Sequence, residues 1–228
     1  MLTAEEILTI PALLPDGLTD AVIAGLPAGT PPAPWRSRIE TAAWGFPATR
    51  ASLDALPAPL TPGPPIGVAA FISYLDGAVG PYHEILASPR AVHGPGLPRL
   101  CGHVPFIAVD SLPSIHGGRT NWALPKLPAR FSGEPTRDRR LVGHGEAWSV
   151  AATVRSVGPW LPFRAAGASA QPWPDGGVRS FCSHFTGRMR AALLFVDVGG
   201  PLELTSVLPS GRHLGLVIRG EVTVGAPR

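Results

Sequence analysis

Short apolar runs, each bounded by glycine, proline or aspartate, recur along the chain from residue 67 onward and predict a protein made mainly of β-strands. β-branched and aromatic side chains are frequent in these runs, as they are in strands generally. The predicted strands are residues 67–75, 82–88, 103–111, 146–157, 187–199, 202–209 and 213–225. Because no helical periods separate them, they favour an antiparallel β-barrel or sandwich over alternating strands and helices.

Helical signals are short and confined to a few segments. Thr3 followed by Glu5 and Glu6 gives residues 3–10 a capping side chain and an acidic first turn. A second short helix fits residues 48–57, where a proline ends it. The 28 prolines and 27 glycines interrupt the remaining sequence so often that we expect no long helix after the N-terminus.

Proline-rich and glycine-rich segments predict surface turns and linkers within one domain. They are TPPAPWR (residues 30–36), PAPLTPGPP (57–65) and AAGASAQPWPDGG (165–177), the last of which predicts an exposed loop. The sequence contains no internal repeat and no shift in composition that would mark a boundary. We therefore predict a single domain over residues 1–228, in which residues 1–35 form an N-terminal helix and a proline-rich lead-in.

The distribution of charge argues against a nucleic-acid partner. The net charge of +3 comes from arginines scattered along the chain, and RDRR (residues 137–140) is their only cluster. Aromatic residues do not alternate with basic ones, as they do in proteins that bind nucleic acids. We interpret the cluster as a solvated loop.

The first residues do not resemble a signal peptide, because Glu5 and Glu6 stand where positive charge is needed. No segment approaches the roughly 20 apolar residues of a membrane span. We therefore expect a cytoplasmic protein without a membrane partner.

Metal binding has no support in the sequence. Cys101 and Cys182 form neither a CxxC pair nor a spacing with histidine that suits zinc, and the seven histidines occur singly. Two distant cysteines do not make a disulfide framework either. We expect reduced thiols and no metal ion.

Lys126 is the only lysine in a chain that contains 18 arginines. It lies in NWALPKLPARF, where prolines on both sides favour extended backbone and the apolar neighbours predict a position along the core. Burial would lower the pKa of its ammonium, and a neutral amine can attack a carbonyl to form a Schiff base. The alternative is a lysine whose stem packs on Trp122 while its head reaches water.

Two elements near this lysine resemble the acetoacetate decarboxylase superfamily. YLDGAVGPYHEIL (residues 74–86) contains the Gly-x-Tyr-x-Glu element of that family. FIAVDSLPSIHGGRTNWALPKLPARF (residues 106–131) contains its Gly-Arg and Pro-Lys pairs. The resemblance implies a mostly antiparallel β-barrel with a closed pocket, assembly into a homo-oligomer, and a Schiff-base lysine at Lys126.

The resemblance also implies roles for residues around the lysine. Glu84 matches the pocket carboxylate of the family, which can orient a substrate or move a proton, and Tyr82 belongs to the same element. Arg119 matches the Gly-Arg position, with an electrostatic or structural role near the lysine. The family holds its substrate with an arginine near the start of the domain, for which Arg36 and Arg38 are the candidates here. Trp122 completes this set of candidate substrate-binding residues.

The sequence departs from the family pattern at three places. Leu127 stands where the decarboxylase has a second lysine, and Thr120 stands where a glutamate follows the Gly-Arg pair. A second pocket glutamate is expected within GVAAFIS (residues 67–73), which contains no acid. The departures predict a site that keeps its nucleophile and has fewer acids and cations around it.

The resemblance implies a decarboxylase-like lyase that acts on a small β-keto or α-keto acid through an imine at Lys126. This chemistry requires neither a metal nor an organic cofactor. The same imine could drive an aldol or dehydration reaction on a keto acid. A non-catalytic small-molecule-binding protein that keeps the fold is the alternative from a different class.

Overall fold

A computed structural model of the protein describes residues 2–3, 5–14, 18–99 and 101–228, and thirteen strands in these ranges form one sheet. They are β1 (Trp35–Pro47), β2 (Thr61–Pro62), β3 (Ile66–Tyr74), β4 (Tyr82–Ser88), β5 (Ala91–His93), β6 (Cys101–Gly102), β7 (Phe106–Val109), β8 (Lys126–Pro128), β9 (Arg130–Ser132), β10 (Arg140–His144), β11 (Ser149–Pro172), β12 (Val178–Gly199) and β13 (Gly211–Val224). The mainly β class predicted from the sequence is confirmed.

The sheet follows the order β2-β5-β6-β11-β12-β13-β1-β3-β4-β7-β8, with β10 and β9 branching from β11. Its pairs are antiparallel except β6 with β11 and β7 with β8. The two ends of this order do not pair, so the sheet is not closed into a barrel, which corrects that part of the expectation. Both end strands contain a proline, which lacks an N–H and therefore suits an edge strand. That the chain is one domain stays a prediction.

Four α-helices occur in the described ranges. They are α1 (Asp20–Ala24), α2 (Ala51–Asp54), α3 (Leu112–Trp122) and α4 (Leu202–Thr205). The predicted helix at 48–57 is confirmed in its centre by α2, whereas the predicted helix at 3–10 is a single 3-10 turn at Glu6–Leu8, with residue 4 outside the described ranges. None of these helices is long and apolar enough to cross a membrane.

Two predicted elements are wrong. Residues 202–209 were expected to form a strand, but they contain α4, which follows Pro201 at its N-cap. The predicted loop at 165–177 is mostly strand, because β11 and β12 continue as one long hairpin and leave only 173–177 as the turn. Much of that hairpin is exposed on both faces, so its sequence lacks the apolar alternation that marks a half-buried strand.

Helix α3 contradicts the expectation of no long helix after the N-terminus. Ser111 caps it by accepting a hydrogen bond from the N–H of Ser114 at 3.3 Å, and Pro113 fits the first turn because an N–H is not needed there. Ala123 ends the helix in the left-handed conformation with φ of 51°. Most of its residues are buried, so the helix has no amphipathic stripe for sequence analysis to detect.

The central strands separate two apolar clusters. One cluster contains Trp44, Phe106 and Leu127, and the other contains Ile107 and Trp122. Successive residues of a strand point to opposite faces, so Phe106 and Ile107 belong to different clusters. The parallel pair of β7 and β8 places Lys126 opposite Ile107, on the face of the second cluster.

Candidate active site

A cavity of about 100 Å³ lies on the face of the sheet that carries the second cluster. Strands from both ends of the sequence and the segment after α3 contribute to it. It is lined by Trp35, Ser37, Tyr74, Tyr82, Glu84, Leu86, Val104, Ile107, Trp122, Leu124, Lys126, Ser169, Phe181, Ser183, Val222 and Val224. Since pockets for drug-sized ligands measure about 300–1,000 Å³, this one suits a molecule of few heavy atoms.

Lys126 points into the cavity and is paired with a carboxylate. Its Nζ donates to Oε2 of Glu84 at 2.6 Å and to Oγ of Ser114 at 2.9 Å. The side chains of Lys126 and Glu84 are only 4% and 2% exposed, so the lysine head does not reach water. The alternative of a lysine that packs on Trp122 with a solvated head is therefore wrong.

Two stacked tyrosines border this ion pair. The rings of Tyr74 and Tyr82 lie 4.2 Å apart, and the hydroxyl of Tyr74 donates to Oε1 of Glu84 at 3.2 Å. The Nζ of Lys126 lies 5.0 Å from the centre of the Tyr82 ring. Burial, together with Glu84, raises the pKa of Tyr74 well above its ordinary value, so this hydroxyl remains a donor to the carboxylate.

The carboxylate of Glu84 determines the protonation of the lysine. Burial alone would lower the pKa of Lys126, but the charge of Glu84 and the hydrogen bonds of the site outweigh burial and raise that pKa above its ordinary value. The expectation of a lowered pKa is therefore wrong, because the sequence does not reveal a carboxylate at 2.6 Å. Transfer of a proton from Nζ to Glu84 would leave a neutral amine, which is the nucleophilic form of lysine.

Helix α3 contacts both the stem and the backbone of Lys126 and so fixes its position. A Cβ at Gly118 would lie 2.5 Å from Cδ and 2.6 Å from Cε of Lys126, so only glycine leaves room for the lysine stem. The buried Arg119 donates from Nε to the backbone carbonyl of Lys126 at 2.9 Å and from Nη1 to the carbonyl of Ile7 at 2.6 Å. Burial lowers the pKa of Arg119 to about 10. Arg119 thus holds the lysine backbone and does not line the cavity.

The two candidate arginines of β1 lie outside the cavity. Arg36 pairs with Glu221, and Arg38 pairs with Asp76 at 2.5 Å, both exposed to solvent. Trp35 and Ser37 occupy the alternate positions that face the cavity. The expectation that Arg36 or Arg38 holds a substrate in this cavity is therefore wrong, because these side chains point to the other face of the strand.

Two residues that depart from the family pattern, Leu127 and Thr120, lie outside the cavity. Leu127 is buried in the first apolar cluster, on the opposite face of the sheet from Lys126, so its position is not next to the amine. Thr120 is buried in α3 and lies outside the cavity lining. Trp122 lines the cavity, and that it binds a substrate stays a prediction. Leu127 thus removes no group from the cavity itself.

Sequence reasoning missed Tyr74 and Ser114, although composition offered a signal for the first. The chain contains two tyrosines, and both line the cavity with the only lysine. Residues that are rare in the whole chain and share one cavity are candidates for a common function. Ser114 gave no signal, because serine is common and its helix was not predicted.

A group of charged side chains lies near the cavity, on the face of β4 opposite to the one that carries Glu84. His83 bonds through Nδ1 to Asp110 at 2.7 Å and through Nε2 to Glu134 at 3.0 Å, and its ring stacks on Phe131. The hydrogen bond to Asp110, with a smaller contribution from Glu134, raises the pKa of His83 to about 9. Since Asp110 directly precedes the N-cap of α3, the contact joins β4 to that helix.

We expect His83→Gln to destabilise the protein in a pH-dependent way. The raised pKa means that protonated His83 stabilises the fold fully below its unfolded pKa of about 6.5, and that this stabilisation disappears as pH rises through about 9. Because His83 is 34% exposed, solvent screening limits the effect to roughly 1–2 kcal/mol. Urea unfolding of both proteins at about pH 6 and about pH 10 measures it. A difference that does not shrink at high pH would contradict the assignment.

The described residues contain no group of three or more histidine, cysteine or acidic side chains that could hold a metal ion. Cys101 and Cys182 are both free thiols. Apart from the two indoles, the polar side chains of the described cavity lining are one carboxylate, one amine and the hydroxyl groups of serines and tyrosines.

The sequence model of the acetoacetate decarboxylase family matches residues 26–153, more than half of the chain. This range contains Glu84, Arg119 and Lys126. The sequence matches none of the curated proteins.

Solved structures resemble the fold over most of its length. The enduracididine biosynthesis enzyme MppR, solved with pyruvate, has 18% identity and a TM-score of 0.61 over 90% of this chain and 93% of its own. MppR was also solved with the condensation product of pyruvate and imidazole 4-carboxaldehyde. An acetoacetate decarboxylase-like enzyme from Sphingomonas wittichii RW1 has 16% identity and a TM-score of 0.59, covering 86% of this chain and 92% of its own.

The acetoacetate decarboxylase of Legionella pneumophila has 16% identity and a TM-score of 0.54, with coverage of 90% of this chain and 92% of its own. At these identities, the similarity concerns the fold.

Proposed function

Because the chain belongs to the acetoacetate decarboxylase family, we propose that it is an enzyme in which Lys126 forms a Schiff base with a small keto acid. One observation carries the proposal: the only lysine of the chain is buried in a cavity, 2.6 Å from a buried carboxylate. Decarboxylation is the first reaction that we propose for it.

Proton transfer within the ion pair starts the reaction. Glu84 accepts a proton from Nζ of Lys126, which leaves a neutral amine and a carboxylic acid at hydrogen-bond distance. The amine attacks the keto carbon, and a proton moves from nitrogen to the former carbonyl oxygen. Glu84 then returns its proton to that hydroxyl, water departs, and a protonated imine remains beside the Glu84 carboxylate.

The protonated imine accepts the electrons of the bond that breaks. In a β-keto acid the bond between the carboxylate and the α-carbon breaks, carbon dioxide leaves, and its electron pair forms an enamine. One proton from solvent, taken up by Glu84, then protonates the enamine carbon. Water hydrolyses the resulting imine, which releases the ketone and regenerates Lys126.

Borohydride trapping tests this proposal. The protein is incubated with acetoacetate or pyruvate, reduced with borohydride, digested and examined by mass spectrometry. We expect a secondary amine on Lys126, because hydride adds to the imine carbon. The N-terminal amine is the only other primary amine of the chain, so the two adducts separate on different peptides. Absence of any Lys126 adduct would refute the proposal. The alternative would then be a non-catalytic protein that binds small molecules.

An aldol or dehydration reaction is the second candidate. Both reactions use the amine and the single carboxylate among the described lining residues of the cavity, and they share the same enamine. The enamine that forms from a keto acid can attack an aldehyde instead of accepting a proton. The condensation product bound in MppR favours this candidate. Carbon dioxide release with acetoacetate distinguishes decarboxylation from condensation, which needs pyruvate and an aldehyde.

A further inference from the structure

Ser114 contacts the amine of Lys126 from the first turn of α3. Its Oγ accepts a hydrogen bond from Nζ at 2.9 Å, and its side chain is completely buried. The backbone N–H of Ser114 donates to Oγ of Ser111, so the start of the helix holds this serine in place. Ser114 is not among the described residues that line the cavity. Any effect that it has on a substrate therefore passes through the amine.

The proton of the Ser114 hydroxyl is directed away from the amine. Burial raises the pKa of Tyr82, whereas the charge of Lys126 and a hydrogen bond with Ser114 lower it. A hydrogen bond that lowers the pKa of a tyrosine is donated to its oxygen, so Ser114 donates to Tyr82. Because a hydroxyl has one proton and two lone pairs, the oxygen of Ser114 then presents a lone pair to Nζ.

The hydrogen bonds of Nζ leave one direction for a reaction. A tetrahedral nitrogen has three bonding directions besides the one to Cε. Oε2 of Glu84 at 2.6 Å and Oγ of Ser114 at 2.9 Å take two of them. The third is left for a bond to the keto carbon of a substrate in the cavity, which Lys126 lines.

The orientation of the neutral amine decides whether it can attack. After Glu84 has accepted a proton, Nζ carries two N–H groups and one lone pair, and only a lone pair that points into the cavity can reach the keto carbon. The oxygen of Ser114 accepts an N–H and repels the lone pair of the amine. Ser114 thus disfavours one unproductive orientation, and correct orientation of the reacting groups raises the rate.

The same oxygen can act after the imine has formed. The imine nitrogen is planar and carries a single N–H, which lies between the two directions that Glu84 and Ser114 take around the amine. Both oxygens can therefore accept this N–H. While Glu84 delivers a proton to the enamine carbon, Ser114 remains as an acceptor for the nitrogen.

We propose that Ser114 is a positioning residue for imine formation, which turns the lone pair of Lys126 toward the cavity. The inference rests on the proposed function, because it concerns the amine that attacks the keto carbon. A serine that only stabilised the resting ammonium would have the opposite effect. Its removal would lower the pKa of Lys126, make the neutral amine more abundant and accelerate imine formation.

The variant Ser114→Ala tests the inference. The protein is mixed with pyruvate or acetoacetate, samples are reduced with borohydride at increasing times, and the initial rate of Lys126 adduct formation is measured over a range of concentrations. We expect the rate at saturating keto acid to fall about 10-fold. The concentration that gives half of this rate should change less than about twofold, because Ser114 does not line the described cavity.

Two further variants separate hydrogen bonding from packing. Ser114→Cys keeps the shape of the side chain but offers only a weak acceptor, so we expect it to lose as much rate as the alanine variant. Ser73→Ala is the matched control, because Ser73 is also buried and does not line the described cavity, and we expect it to keep the wild-type rate. Thermal melting establishes that each variant is folded.

The possible outcomes distinguish this inference from the proposed function. An unchanged or faster rate in Ser114→Ala, a wild-type rate in Ser114→Cys, or an equal loss in Ser73→Ala would overturn the role of Ser114 and leave the Schiff-base proposal intact. No Lys126 adduct in the wild-type protein with either keto acid would overturn the proposed function, and the inference with it.

Discussion

Replacement of Lys126 by methionine is expected to abolish the borohydride adduct and turnover completely. Methionine is similar in length and has no amine, so the cavity keeps its shape and loses its nucleophile. Lys126→Arg keeps a positive charge beside Glu84 but is equally expected to form no imine, because guanidinium remains protonated. Mass spectrometry after reduction with pyruvate or acetoacetate measures the loss.

The control for the Lys126→Met experiment tests the effect of leaving Glu84 without its ion-pair partner. Lys126→Met leaves Glu84 buried without a cation, which is expected to destabilise the protein by about 3–5 kcal/mol. The double variant Lys126→Met with Glu84→Gln removes both charges and is expected to recover most of that stability. An adduct of wild-type yield in the methionine variant would show that another amine reacts, and would refute Lys126 as the nucleophile.

Glu84→Gln is expected to separate imine formation from turnover. The amide cannot accept or return a proton, so carbon dioxide release should fall by about 10²- to 10⁴-fold. Glu84 raises the pKa of Lys126, so its removal lowers that pKa and keeps the amine available. The borohydride adduct should therefore still form, but more slowly, because no carboxylic acid returns a proton to the departing hydroxyl. Its final yield should reach half of its maximum at a lower pH than in the wild type.

The matched control for Glu84→Gln is Tyr74→Phe. This change removes the hydroxyl that donates to Oε1 of Glu84 and keeps both the carboxylate and the stacked ring. We expect a smaller loss of turnover, roughly 10-fold, without loss of adduct. If Glu84→Gln released carbon dioxide at the wild-type rate, the proposed role of Glu84 in proton transfer would be refuted.

The proposed nucleophile and its carboxylate partner could be singled out from the sequence because each lies in a short local motif. Lys126 lies between prolines, and Glu84 follows a glycine and a tyrosine, so neither identification needed the path of the chain. That they meet at 2.6 Å depends on β4 and β8 flanking β7, which links segments far apart in sequence. The direction of the lysine pKa followed from that contact and was therefore predicted wrongly.

The arginines show a different limit of sequence reasoning. Arg36 and Arg38 were plausible by type and position, but a shift of one residue along a strand moves a side chain to the other face. The predicted linker at 30–36 hid the start of β1, and with it the alternation that places Trp35 and Ser37 inside. Helix α3 was hidden for a related reason, because a helix buried on all sides carries no polar face to mark its period.

The burial of the only lysine makes this protein suited to chemical labelling. A reagent that acylates amines meets Nζ of Lys126 only when the cavity opens, since this side chain is 4% exposed and bonded to Glu84 and Ser114. The labelling rate of Lys126, compared with that of a free lysine derivative in the same solution, therefore reports how often the cavity opens to solvent. A keto acid that closes or occupies the cavity would change that rate without any mutation.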